Sequence, residues 1–147
     1  QRSVHLFDTF TGMPPVSGYD LSRAAGEFTP PDGIARIIAE QAEELGVADM
    51  VEVHQGLFSD TLSSVDQEAR IAFAHVDANI YEGTLQACEF ALSRMTAGGA
   101  VVFDDYNGVC DLGARLAIDQ ALATFEMKPR ALTASSAYIR VSQKAHQ

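Results

Sequence analysis

The chain has 147 residues, 47% of them hydrophobic, and a formal net charge of -10. That is enough for one domain (residues 1–147) around one core, too apolar for disorder, and too acidic for nucleic acid or an anionic membrane surface to be a natural partner. No apolar run approaches the ~20 residues that cross a bilayer, and no signal-peptide pattern opens the chain. Cys88 and Cys110 show neither a disulfide framework nor zinc spacing, which reads as two reduced thiols in a cytoplasmic protein. A metal cation or a cationic cofactor suits this charge, although most of the acidic side chains serve solubility.

The first apolar run, Val4 to Phe7, stops at Asp8 and reads as a strand. A long stretch rich in Gly, Pro, Ser and Thr follows, of the kind that forms functional lids. Asp32 or Gly33 then caps a helix over 34–45, whose apolar set Ile34, Ile37, Ile38, Ala42 and Leu45 has helical spacing, and Gly46 ends it. "DMVEVHQG" is a strand, and "LFSDTLSSVDQ" a loop with a helical turn. "RIAFAHVD" is the most apolar strand so far, expected to be central with both faces covered. "YEGTLQACEFALSRM" is a helix that Gly98 and Gly99 close. "AVVFDDY" is a buried strand ending in two carboxylates, and "GARLAIDQALATFE" is a helix. Residues 130–135 form a weak strand and "AYIRVS" a final one, paired as an antiparallel hairpin at one edge.

Alternating strands and helices are the grammar of an α/β fold with a doubly wound, mostly parallel, Rossmann-like sheet. Such sheets bind ligands at the carboxyl ends of their strands, and here acids stand at three of those ends: Asp8, Asp77, and the pair Asp104 and Asp105. Asp77 and the Asp104–Asp105 pair come from consecutive strands, whose ends lie ~5 Å apart when the strands are neighbours. Three carboxylates converging there would repel one another, and a divalent cation such as magnesium or calcium would remove that repulsion. The competing reading is helix capping by Asp77 and Asp105. Asp8, at the end of its strand, suits the ribose hydroxyls of a nucleotide-like cofactor, or simply starts a loop.

His54 and His75 are lone histidines on strands, and His75 is a candidate partner behind Asp77; His5 and His146 carry no signal. Tyr81, Tyr106 and Phe58 follow strand ends and could wall a pocket or pack ordinarily. There is no Ser-His-Asp order, no P-loop and no G-x-G-x-x-G.

The ordered set "HLFDTFTGMP", "GEF", "VHQGLFSDTL", "IAFAHVDANIYEGTL" and "GGAVVFDDY" with "GARLAIDQ" resembles the macrocin O-methyltransferase family, metal-dependent relatives of class I methyltransferases that use S-adenosylmethionine. The resemblance covers nearly the whole chain. It implies that Asp8 holds the cofactor ribose, that Asp77, Asp104 and Asp105 bind Mg2+, and that residues 9–28 close over cofactor and acceptor, typically a sugar hydroxyl of a natural product. Two departures stand out. The family usually reads Asp-x-Asp where this chain reads Asp77-Ala78-Asn79, so an amide occupies the general-base position. The first strand here resembles the family's second, so the family's opening strand and Gly-containing loop are expected to be missing. The chain is then a fragment, or its strands pair directly, or a second copy pairs with an exposed strand edge as a homodimer. The expected function is magnesium-assisted O-methyl transfer to a small-molecule hydroxyl. The alternatives are a non-catalytic α/β binding or assembly module, and a phosphate-ester hydrolase, which the lack of basic residues near the acids disfavours.

Overall fold

The computed structural model describes residues 2–142; His146 lies outside them. The elements in chain order are β1 (Val4–Asp8), α1 (Ile34–Glu44), β2 (Val51–Gln55), α2 (Phe58–Thr61), β3 (Ile71–Val76), α3 (Tyr81–Arg94), β4 (Met95–Phe103), α4 (Leu112–Thr124), β5 (Arg130–Ala131) and β6 (Ala137–Arg140). They fall into two compact units, Gln1–Pro15 with Ala25–Val65 and Val16–Ala24 with Asp66–Gln147. Among the described residues, no helix is long and apolar enough to cross a membrane.

In the first unit β1 and β2 pair in parallel, Val4 opposite Val51 through Asp8 opposite Gln55. Helix α1 joins them. Gly33, not Asp32, is its N-cap, and it sits in the left-handed region at φ 77° without any side-chain bond to the helix. The other end is a Schellman motif: Gly46 N–H donates to Glu43 O and Val47 N–H to Ala42 O, with Gly46 at φ 69°. A single turn of 3-10 helix, Ala48–Met50, leads into β2, and the expected helical turn after β2 is α2 followed by Leu62–Ser64.

In the second unit the strand order is β3-β4-β6-β5. β3 and β4 are parallel, β4 and β6 antiparallel, and β5 and β6 form the expected antiparallel edge hairpin. β5 is only two residues long, shorter than the weak strand expected over 130–135. β3 is not the central strand that its apolar sequence suggested. It lies at one edge of its sheet, and Phe73 is 63% exposed. The core gathers Val76, Cys88, Leu92, Met95, Val101, Phe103, Ile118, Leu122 and Ile139 between this sheet and helices α3 and α4. Burial of the Cys88 thiol in this core pushes its pKa up to about 12, assisted by the charge of Glu89.

Gly98 and Gly99 do not close α3. The helix ends at Arg94, Met95 is already extended at ψ 137°, and both glycines lie inside β4. Their role is a bulge: Ile71 pairs with Met95, yet Phe73 pairs with Ala100. Gly98 takes φ 80°, and a Cβ on Gly99 would come within 2.6 Å of Met95 Cε and 3.0 Å of Ala72 O. The bulge is tied to the last strand segment by Gly98 N–H to Val141 O and Val141 N–H to Gly99 O.

Candidate functional site at the acidic end of β3 and β4

The parallel ladder of β3 and β4 runs to its last pair, Val76 with Phe103, and Asp104 N–H donates to Val76 O at 3.0 Å. The next residues on both strands are the acids. One carboxylate oxygen each of Asp77, Asp104 and Asp105 lies within 4.8 Å of the others, with Asp77 exposed, Asp104 half-buried and Asp105 buried. Sequence reasoning placed these three together, and the structure does the same. Neither Asp77 nor Asp105 is the cap of a helix: the N-cap of α3 is Ile80 and that of α4 is Asp111. His75 flanks the cluster through Asp104 rather than Asp77, with its Nε2 3.9 Å from Asp104 Oδ1.

Asn79 is bound into the same cluster. Its backbone N–H donates to Asp105 Oδ2 at 3.0 Å and its Nδ2 to Asp105 Oδ1 at 3.1 Å. This two-point grip needs Asn79 at φ 58°, a left-handed conformation that Asn and Asp adopt more readily than most residues. Burial pushes the Asp105 carboxyl up to about 6. The Asn79 N–H works against that rise, and the charges of Asp111, Asp77 and Asp104 add to it. An oxygen-only donor set with crowded negative charge could hold a hard divalent cation, and each Asp105 oxygen keeps a lone pair beyond the one facing Asn79.

Three residues that the sequence did not single out build the surroundings. Asp20, on the Val16–Ala24 segment, is buried; its Oδ1 accepts from Tyr81 N–H at 2.7 Å and so satisfies the start of α3. Its Oδ2 accepts from Ser17 N–H and Ser17 Oγ. Gly113 makes room for it: a Cβ there would stand 1.9 Å from Asp20 Oδ1. Arg23, three residues on, donates through Nε (2.8 Å) and Nη2 (2.5 Å) to Asp111 Oδ1, in a pair that is mostly buried. The middle of the predicted lid is thus pinned to the N-terminal ends of α3 and α4 by two carboxylates. Loop residues gave no periodic signal for this, and the partners are 61 and 88 positions apart.

Tyr81 and Tyr106 are both fixed by α4. Tyr81 donates its hydroxyl to Gln120 Oε1 and its ring meets that of Tyr19, with centroids 4.4 Å apart. Tyr106 donates to Asp119 Oδ1 beneath the Arg115 guanidinium, and burial together with Asp119 raises its pKa. Phe58 and Asp8 belong to the first unit. There Asp8 Oδ1 accepts from Phe10 N–H at 2.6 Å, turning the chain at the end of β1.

A family model described as Macrocin-O-methyltransferase (TylF) matches residues 1–128. The chain belongs to this family. A curated relative from Streptomyces olivaceus, 8-demethyl-8-(2,3-dimethoxy-alpha-L-rhamnosyl)-tetracenomycin-C 4'-O-methyltransferase, is 34% identical over 112 residues, 71% of this chain and 42% of that protein. Of solved structures, the O-methyltransferase NovP matches with a TM-score of 0.80 at 22% identity, over 96% of this chain and 60% of NovP. The calicheamicin methyltransferase CalS11 matches with a TM-score of 0.79 at 26% identity, over 95% of this chain and 60% of CalS11. This family member therefore spans 42% of the curated relative and 60% of each solved one. Its fold is the methyltransferase-like α/β fold, with parallel strands and an antiparallel edge.

Proposed function

We propose that the chain carries the acceptor-side chemistry of an O-methyltransferase, which moves a methyl group from S-adenosylmethionine to a hydroxyl of a sugar or other natural product with the help of Mg2+. The observation that carries this reading is the meeting of Asp77, Asp104 and Asp105 carboxylate oxygens within 4.8 Å, in a chain of a methyltransferase family. The curated relative is named for methylating a rhamnosyl-bearing tetracenomycin, which supports a glycosylated acceptor here. Asp77, Asp104 and Asp105 would hold the ion, and the ion would lower the pKa of a bound hydroxyl and orient it.

The chain's own residues do the rest. Asp8, exposed at the end of β1, supplies a carboxylate for ribose hydroxyls. Asn79 fixes the Asp105 carboxylate from two donors, so the acid does not have to reorganise when charge arrives. The Asp20 and Arg23 anchors hold the Val16–Ala24 segment, which limits the freedom of that stretch near the starts of α3 and α4. Removal of the acceptor proton is the weak step. An amide accepts a hydrogen bond through its oxygen but takes no proton, so Asn79 positions a hydroxyl without serving as its base.

That last observation favours a second reading, a catalytically inactive α/β module for binding or assembly that no longer takes up S-adenosylmethionine. Calorimetry with S-adenosylmethionine, with and without magnesium, separates the two from the start. Heat of cofactor binding that Asp8→Ala abolishes, followed by methylation of a rhamnosylated acceptor, is the expected result. Flat titrations at millimolar cofactor would leave only the binding-module reading.

A further inference from the structure

A second group of donor atoms stands in the first unit, on the face of the β1–β2 sheet that carries His5, Phe7, Glu52 and His54. The parallel register sets His5 opposite Glu52 and Phe7 opposite His54. His5 Nδ1 is 3.0 Å from His54 Nε2 and 3.6 Å from Glu52 Oε2, and His54 Nε2 is 3.9 Å from that same oxygen. A tetrahedral ion with ligand bonds of about 2.0–2.1 Å separates neighbouring donors by about 3.3 Å. The three spacings bracket that value, so small side-chain rotations bring all three atoms onto one ion.

The outer nitrogen of each ring is held in the manner that metal-binding histidines require. Ser64 Oγ donates its hydrogen to Thr61 O at 2.7 Å, so at 3.0 Å from His54 Nδ1 it is the acceptor of that ring's N–H. His54 Nε2 is then a lone pair aimed at the cluster. Ser3 Oγ lies 2.9 Å from His5 Nε2 and can accept a proton placed there. Without an ion, His5 Nδ1–H donates to His54 Nε2. With one, the His5 proton sits on Nε2 against Ser3, both inner nitrogens present lone pairs, and no proton is gained or lost by the neutral pair. Phe7 stacks on His54 with centroids 4.3 Å apart and planes 11° apart, which fixes the plane of that ring. Glu52, with its side chain 59% exposed, brings the negative charge.

We propose that His5, Glu52 and His54 bind one zinc-class divalent ion, with water in the fourth position, clasping β1 to β2. Two imidazoles and one carboxylate select zinc, cobalt or nickel over magnesium, in contrast to the all-oxygen set at Asp77, Asp104 and Asp105. No sequence pattern points to it, because His5 and His54 are 49 positions apart and neither sits in a ligand-spacing motif.

Cobalt(II) is the probe, used on the whole chain, because four-coordinate cobalt with nitrogen donors absorbs visible light strongly and octahedral all-oxygen cobalt weakly. One equivalent is expected to give the strong bands, which zinc removes and magnesium does not. His5→Gln and Glu52→Gln should each weaken cobalt binding at least ~10-fold with unchanged circular dichroism, and Ser64→Ala about 10-fold. The exposed Glu52 position keeps the test decisive should His5→Gln fold poorly. The double variant Asp77→Asn with Asp104→Asn, and Cys110→Ser, should leave the bands intact. Bands that never arise, that persist at full affinity in Glu52→Gln, or that vanish in the Asp77 and Asp104 double variant or in Cys110→Ser would overturn the proposal.

Discussion

Asn79 gives two donors to Asp105, and this grip sets the outcome of restoring an acid at that position. Asn79→Asp keeps the left-handed backbone tolerable but removes the Nδ2 donor and sets a second negative charge beside a crowded carboxylate. Without metal the variant should be less stable by about 1.5–3 kcal/mol, the range for a hydrogen bond to a charged group. Magnesium should recover more stability in the variant than in the wild-type chain. If a missing base limits turnover, the new carboxylate should raise the methyl-transfer rate by about 10²-fold or more. Melting curves with and without magnesium and a single-turnover assay check both parts; a rate that stays level or falls would show that the base is not what is missing. At this scale the acids at the strand ends were legible, because each of Asp77 and Asp104 interrupts an apolar run. Asp20, Arg23 and Asp111 were not, because polar residues in loops look alike until the fold brings their partners to them.

Elements with glycine at their stops read cleanly, and those without did not. Gly46 ends α1 in a Schellman motif visible from the sequence. Helix α4 ends in the same motif, Met127 N–H to Leu122 O and Glu126 N–H to Ala123 O, but the left-handed position is Glu126 at φ 54°. Glu126→Gly is therefore expected to raise stability by about 0.5–1 kcal/mol in urea unfolding, since Glu126 is exposed and glycine relieves its backbone. Gly98 and Gly99 misled in the opposite sense: a glycine pair after a helical pattern looks like a stop, yet the helix ends earlier and the pair serves the β4 bulge. Gly113 was invisible as a packing residue. Gly113→Ala should destabilise the chain by about 1–3 kcal/mol, because its Cβ meets Asp20 Oδ1. Combined with Asp20→Ala, the added loss should be much smaller than the sum of the two changes, and equal sums in a double-mutant cycle would contradict this packing.

For the whole chain, alternating apolar strands and amphipathic helices made the α/β class and the antiparallel edge hairpin readable. The position of β3 at the edge of its sheet was not readable from its apolar run, since such a strand looks alike at the centre and at the rim; the pointer to it was the exposed strand edge expected with the family's opening strand missing. The excess of acids over bases that gives the net charge of -10 suits cations, and the two donor clusters differ in ligand type, three carboxylates at Asp77, Asp104 and Asp105 against two imidazoles and one carboxylate at His5, His54 and Glu52. The central claim is that the three aspartates share one hard ion, and thermal unfolding in magnesium tests it most directly. At a hundredfold excess over its Kd, the ion should add ~2.7 kcal/mol and raise the wild-type Tm by about 5–10 °C, while Asp104→Asn should gain less than about a third of that rise. Equal rises in the two proteins would contradict the shared ion.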